Sequence, residues 1–190
     1  MRKKQIIEAA FKLFARHGYN SATMRQIGSA VGLDKSSLYV HFKNKNEIFQ
    51  ENLKSEIEQF QVNVLDRLSA GDIKTLARAF FIETVSYFAN KDKLLFWKHI
   101  LLLSASGSDP VVSRQASAAL ESLYKQIMVK LEAQGIRTGQ ESFSKMELYL
   151  YILTQGFLDW LLIQTVIDSH TMKKAGEVFD SMVENCRLFD

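Results

Sequence analysis

Residues 23–47, TMRQIGSAVGLDKSSLYVHFKNKNE, contain two short helical patterns separated by a glycine. Thr23 followed three residues later by Gln26 predicts a capping box, in which two side chains bond free backbone N–H groups of a first helical turn. The helix that it opens is expected to stop at Gly32, because glycine readily adopts the left-handed backbone found at helix ends. A short helix and a sharp turn are therefore predicted before residue 35.

A second short helix is predicted to follow this turn. Asp34 is placed to cap a helix over residues 35–42, with Leu38 and Phe42 as its buried side. A helix, a glycine-containing turn and a second helix form the helix-turn-helix arrangement, whose second helix can lie in a DNA major groove. We call residues 35–42 the recognition helix.

The same stretch also resembles a known family. The patterns Thr-x-x-x-Ile-Gly-x-x-Val-Gly and Ser-x-Leu-Tyr-x-His-Phe-x-Asn-Lys-x-Glu-Ile-Phe are similar to the amino-terminal domain of the tetracycline-repressor (TetR) family of transcriptional regulators. The resemblance covers roughly residues 3–50, and the family often has Ala where this chain has Gly28. It implies a DNA-binding regulator, and beyond residue 50 it implies only an all-helical architecture.

Charge is distributed unevenly along the chain. Residues 1–50 hold nine Lys and Arg against three acids, a balance of +6, whereas the remainder carries 15 basic and 18 acidic residues, a balance of −3. A basic segment joined to an acidic remainder is the electrostatic form of a polyanion-binding module attached to another domain. A solvated basic face is the alternative, but coincidence with the helix-turn-helix pattern favours DNA.

Composition and periodicity predict an all-α fold of about nine helices. With one proline and nine glycines the chain has few residues that break secondary structure, which favours long helices over many short strands. Residues 1–46 are predicted to form the DNA-binding domain and residues 47–190 a helical bundle for ligand binding and dimerisation. A continuous helix from Lys45 to Ser69 is expected to join the two, so that its movement would displace the recognition helix.

Other sequence features bear on location. The longest apolar stretch, 146–167, is interrupted by charged and amide side chains, which indicates a buried helix and no membrane span. The single cysteine, Cys186, excludes an intrachain disulfide and fits a reducing compartment. A cytoplasmic protein is expected.

Eight residues are predicted to contact DNA, some from the family resemblance and some from their positions. The resemblance implies contacts from five residues of the recognition helix: Lys35, Ser36, Ser37, Tyr39 and His41. Thr23 and Lys45 stand at helix starts, where free N–H groups favour phosphate. Arg25 is the candidate for reading guanine through a two-pronged hydrogen bond. The alternative interpretation of Tyr39 is a side chain buried in the core, and that of the lysines is ordinary solvated charge.

Aromatic residues beyond residue 80 suggest a small-molecule site. The candidate ligand-binding residues are Phe88, Phe96, Trp97, Tyr124, Tyr151, Gln155 and Phe157. Simple core packing and an apolar cavity with a few polar groups are equally good interpretations of this pattern. The resemblance favours the cavity, because carboxy-terminal domains of the family commonly bind an effector.

Sequence motifs give no support for catalysis. The four histidines are scattered, with no His-Glu-x-x-His pattern and no Cys/His cluster, and there is no glycine-rich phosphate loop. We therefore predict no enzyme activity, no metal and no cofactor.

These observations together predict a dimeric transcriptional regulator. It is expected to be a repressor released from a palindromic operator by a small, largely apolar ligand. The dimer is predicted to form through the helices Ser144–Asp168 and Thr171–Leu188, and Glu at Phe179 is expected to yield monomers or insoluble protein. The alternatives are a ligand-independent regulator acting through a protein partner, and a helical enzyme or lipid-binding protein.

Overall fold

The computed structural model describes residues 2–69, 71–107, 109–134, 141–164 and 168–185, with the backbone alone for 141–147, 149 and 150. Across these residues the chain forms α1 (Arg2–Ser21), α2 (Met24–Ala30), α3 (Lys35–His41), α4 (Lys45–Asn63), α5 (Ile73–Phe88), α6 (Lys91–Ser106), α7 (Pro110–Ala133), α8 (Glu141–Ile163) and α9 (Ser169–Glu184). A 3₁₀ turn at Leu65–Arg67 follows α4. No strand occurs in the described ranges, and the predicted all-α class is confirmed.

Contacts divide the chain into two compact units. The first consists of Met1–Gln59 and Asp92–Leu123, and the second of Phe60–Lys91 and Tyr124–Asp190. The first unit therefore holds α1 to α3 together with nearly all of α6. The predicted domains, residues 1–46 for DNA binding and 47–190 for ligand binding and dimerisation, are defined by function and not by these contacts. They stay a prediction.

The core of the first unit gathers the apolar face of α1 and the start of α4. Phe14 and Phe49 are almost completely buried, and their ring centroids lie 5.6 Å apart in an edge-to-face arrangement. Helix α2 packs against both α1 and α3. Gly18 interrupts α1 with a positive φ of 74°, and a Cβ there would lie 3.3 Å from Nδ1 of His99. Regular helix is thus interrupted at Gly18, and α1 resumes and extends to Ser21.

In the second unit, α5 packs against α8 and α9. The fully buried rings of Phe81 and Phe179 stack with their centroids 4.2 Å apart. The guanidinium of Arg78 donates to Asp180 Oδ1 at 2.6 Å, an ion pair between α5 and α9. These contacts bury the side of α9 that carries Phe179 within the second unit.

The predicted bounds of two helices, α4 and α8, are wrong. Helix α4 ends at Asn63 and not at Ser69. The predicted helix was too long because buried apolar residues, among them Val64 and Leu68, continue the spacing after the backbone has left α-helical geometry. Helix α8 begins at Glu141 and ends at Ile163, so Ser144 lies inside it and does not cap it.

The last helix begins earlier than predicted. Asp168, not Thr171, caps α9, because its carboxylate accepts the backbone N–H of Thr171 at 2.8 Å. The predicted end of the last helix at Leu188 and the cysteine Cys186 lie outside the described residues. Within the described part of the chain, no helix has the length and apolar character needed to cross a membrane.

Candidate nucleic-acid interface

Thr23 and Gln26 form the predicted capping box at the start of α2. The Thr23 hydroxyl oxygen accepts the Gln26 N–H at 3.2 Å, and Gln26 Oε1 accepts the Thr23 N–H at 2.9 Å. The same Oε1 also accepts the Thr23 hydroxyl proton at 2.8 Å. Because this proton is already used, a phosphate contact by Thr23, which stays a prediction, would have to redirect it.

The turn between α2 and α3 folds back onto Gly28. Gly32 has a φ of 67°, as its role in the turn requires, and the Leu33 N–H donates to the Gly28 carbonyl at 2.9 Å. A Cβ built on Gly28 would lie only 2.8 Å from the carbonyl oxygen of Leu33. The absence of a side chain at residue 28 therefore permits this close approach of two backbone segments.

Helix α3 is fixed at its start by Asp34 and on its inner side by Leu38. The Asp34 carboxylate accepts the Ser37 N–H at 2.7 Å and the Ser36 hydroxyl at 3.1 Å. These hydrogen bonds, the first of them above all, lower the pKa of Asp34. Leu38 is completely buried, whereas Tyr39 is 44% exposed, so the alternative of a core position for Tyr39 does not apply.

Lys45 makes contacts that its sequence position did not predict. Its ammonium donates to the carbonyl oxygens of Tyr19 at 2.7 Å and Ala22 at 2.9 Å, and Nζ lies 4.1 Å from the centroid of the Tyr19 ring. Burial lowers the pKa of Lys45. Lys45 thus ties the start of α4 to the end of α1. One N–H of the ammonium remains for a phosphate, and that contact stays a prediction.

The other predicted DNA contacts are arranged on α2 and α3. Arg25, Lys35 and Ser36 are exposed, and Ser37 and His41 are half-buried. The Lys35 ammonium lies 5.9 Å from the centroid of the Tyr39 ring. All eight candidates therefore lie in the first unit, with solvent access for most of them, and their contacts with DNA stay predictions.

The predicted ligand-binding residues fall into both units. In the first, Phe96 and Trp97 are buried, and the Phe96 ring lies 5.0 Å from the Phe11 ring and 6.3 Å from the Phe49 ring. Trp97 Nε1 is buried without a hydrogen-bond partner among the described residues. This unused donor is a polar group that a ligand or a water molecule would satisfy.

The remaining ligand candidates lie in the second unit. The Phe157 ring packs on Phe81 at 4.8 Å, while the Phe88 ring packs on Phe60 at 6.2 Å, in a different aromatic group. Tyr124 and Tyr151 are 50% and 56% exposed, and Gln155 is half-buried. A role for these residues in binding an effector stays a prediction.

Sequence reasoning missed a buried ion pair in the first unit. Glu56 on α4 is 3% exposed, and its carboxylate lies 3.8 Å from the Lys93 ammonium on α6. Lys93 also donates to Gln59 Oε1 at 2.7 Å, and burial lowers the pKa of Lys93. The polar positions on the inner face of α4 were the only sequence signal for this pair.

Known proteins with similar sequences match the amino-terminal part of the chain. An all-α chain with a capped helix-turn-helix in a basic segment has the features of a DNA-binding protein of this motif class. Residues 6–51 match the family model described as bacterial regulatory proteins, tetR family. The match confirms the resemblance that the sequence shows over this segment.

Curated relatives match over the same region. The transcriptional repressor AcnR of Corynebacterium diphtheriae is 39% identical over 49 residues, 26% of each chain. The negative transcriptional regulator IcaR of Staphylococcus epidermidis is 36% identical over 58 residues, 30% of this chain and 31% of that protein. The match thus spans between a quarter and a third of the length of these relatives.

Solved structures resemble the chain over nearly its whole length. A protein from Saccharomonospora viridis, solved in complex with choline, has a TM-score of 0.68 at 20% identity, with 97% of this chain and 96% of that chain covered. The ketosteroid transcriptional regulator KstR2 of Mycobacterium tuberculosis has a TM-score of 0.65 at 17% identity, covering 96% of this chain and 93% of that chain. At these identities the likeness shows a shared fold.

Proposed function

We propose that this protein is a DNA-binding transcriptional regulator, a repressor that binds a palindromic operator as a homodimer and leaves it when a small ligand binds. The observation that carries the proposal is the capped helix-turn-helix within residues 23–41, set in a segment with a net charge of +6. AcnR and IcaR, which share this segment, are named as a repressor and a negative regulator, which supports repression. The protein would act in the cytoplasm and would have no enzyme activity.

Arg25 is proposed to read a guanine, since its side chain is exposed in the first turn of α2. Arg25→Ala should weaken binding about 5- to 150-fold, equivalent to roughly 1–3 kcal/mol, on duplexes with the preferred base and relax specificity at that position. Arg25→Lys is the matched control, because it keeps the charge but loses the planar fork. Fluorescence anisotropy on duplexes changed one base pair at a time gives the measurement.

Lys45→Met provides the contrasting result in the same assay. It should weaken binding to every duplex. If the ammonium contacts a phosphate, the slope of log binding constant against log salt concentration should also fall by about the value of one phosphate contact. Removing the ammonium also leaves the carbonyl groups of Tyr19 and Ala22 without their charged donor, which should cost about 1–3 kcal/mol of stability. An Arg25→Ala loss that is equal on all sequences would contradict the base-reading role.

An effector site is proposed around Trp97, because it places an unused buried donor among aromatic rings. Helix α6 also contacts α1 directly: the Arg16 guanidinium lies 3.3 Å from Asp92, and the His99 ring packs at the Gly18 kink. A shift of α6 would therefore reach the helix-turn-helix through α1 as well as through α4. The ligand must favour the arrangement that does not bind DNA, since equal affinity for both would shift nothing.

Tryptophan emission tests the effector proposal. A small apolar ligand that binds beside Trp97 should change the emission over the same concentration range in which it releases DNA. A coupling of about 1–3 kcal/mol would weaken operator binding about 5- to 150-fold. Trp160→Phe is the control that leaves Trp97 as the single reporter. Release of DNA without any change in Trp97 emission would place the site elsewhere.

A ligand-independent regulator is the second candidate. The observation that favours it is the close packing of Phe96 against Phe11, Phe49 and Trp97, which is typical of a filled core. Such a protein would respond to a protein partner and not to a small molecule. DNA binding that no apolar ligand relieves would support this candidate.

A further inference from the structure

Val40, on the recognition helix, has an unusual environment for a β-branched apolar residue. Its side chain is 81% exposed, the highest value for a large hydrophobic residue in the described part of the chain. A single exposed apolar residue is normal on a protein surface and by itself indicates nothing. Val40 differs from such residues because it lies on α3, a short helix whose opposite side is buried.

The geometry of α3 sets the direction of Val40. Leu38 is completely buried and marks the side of α3 that faces the core of the first unit. With 3.6 residues per turn, positions two before and two after Leu38 are rotated by about 200° from it. These positions are Ser36 and Val40, which are neighbours on one face because they are four residues apart. Together they form the outermost ridge of α3.

The two residues of this ridge differ in what they offer to DNA. The Ser36 hydroxyl already donates to the Asp34 carboxylate at 3.1 Å, so its proton is used within the cap. Val40 presents two methyl groups to solvent. The major groove offers one apolar partner for them, the C5-methyl group of thymine.

We propose that Val40 is a specificity-determining residue that contacts the C5-methyl group of a thymine in each half-site of the operator. The inference rests on the proposed DNA-binding function and adds a base preference to it. The charge of +6 on residues 1–50 brings the helix to DNA, and the ridge of Ser36 and Val40 is the part of α3 that would enter the groove most deeply.

Replacing thymine by uracil removes only the methyl group and tests the contact directly. The probe is the duplex that the wild-type protein selects from random DNA, with each thymine replaced in turn by deoxyuridine. Wild-type affinity should fall about 2- to 10-fold at one thymine per half-site, as expected for an apolar contact of one methyl group. Val40→Ala should bind the thymine and uracil duplexes equally at that position. Val40→Thr, which keeps one methyl group, should retain part of the difference.

The possible results separate this inference from the function on which it rests. Sequence-specific binding with no effect of uracil at any thymine overturns the role of Val40 and leaves DNA binding intact. A Val40→Ala variant that discriminates against uracil as the wild type does, or that weakens all duplexes equally, also overturns it. Failure of the wild type to select any duplex would instead contradict the proposed function.

Discussion

Ile152→Glu should convert the protein from a dimer to folded monomers. Ile152 on α8 is 58% exposed in the protomer, and Leu148, one turn earlier, is also 58% exposed. On α9, Val178 and Met182 are 37% and 40% exposed. Apolar side chains on the last two helices would be buried when each pair meets its symmetry mate, so a charge there opposes association.

Phe179→Glu should behave differently, although the sequence pointed to that residue as a probe of the interface. Phe179 is completely buried and stacks on Phe81 inside the protomer. A carboxylate there costs several kcal/mol, a large part of the roughly 5–15 kcal/mol that holds a domain folded. Loss of helical structure is therefore expected, and this variant reports on folding and not on the dimer.

Light scattering after size exclusion, with circular dichroism for folding, gives both results. Val62→Glu is the matched control, because Val62 is 61% exposed but lies on α4, outside the last two helices. It should remain a dimer. A wild type that is fully monomeric at micromolar concentration, or an Ile152→Glu variant that stays dimeric, would contradict the proposed interface.

Gly28→Val should destabilise the helix-turn-helix and abolish DNA binding. A Cβ at residue 28 would lie 2.8 Å from the Leu33 carbonyl oxygen, and a β-branched side chain adds two further carbons at the same place. Such crowding against backbone should cost about 3 kcal/mol or more. Gly28→Ala should cost less, because a single methyl group needs a smaller shift of the turn and gains about 1 kcal/mol of helix propensity.

Gly32→Ala separates crowding from backbone conformation. A Cβ at Gly32 meets no atom within 4 Å, but its φ of 67° is unfavourable for any other residue by about 1–2 kcal/mol. Urea unfolding should therefore rank Gly28→Val as the least stable of the three variants. If the Gly28→Val variant had the same urea midpoint of unfolding as the wild type, the close approach of Gly28 and Leu33 would be disproved.

Local features were readable from the sequence because they depend on residues close together in the chain. The Thr23–Gln26 box and the cap at Asp34 are confirmed, since each needs only a side-chain oxygen and an N–H three residues away. The end of α4 was not predicted correctly, because buried residues continue past Asn63 while the backbone changes geometry. Burial and helicity are separate properties, and periodicity reports only the first.

The candidate site was less predictable because its geometry depends on distant residues. The partners of Lys45, the carbonyl groups of Tyr19 and Ala22, lie more than 20 residues earlier and carry no side-chain signal. The aromatic residues past residue 80 looked like one group, but Phe96 packs in the first unit and Phe157 in the second. A count of aromatic residues does not show which of them share a core.

Selection of bound duplexes from random DNA tests the proposed function most directly. The proposed dimer, with one helix-turn-helix in each chain, predicts a palindromic consensus whose half-sites are about one helical turn, roughly 34–36 Å, apart. Binding should weaken with salt, since phosphate contacts supply much of the affinity. A pool without any enriched sequence, bound only through salt-sensitive contacts, would show that the basic segment holds DNA without reading its sequence and would contradict the proposal.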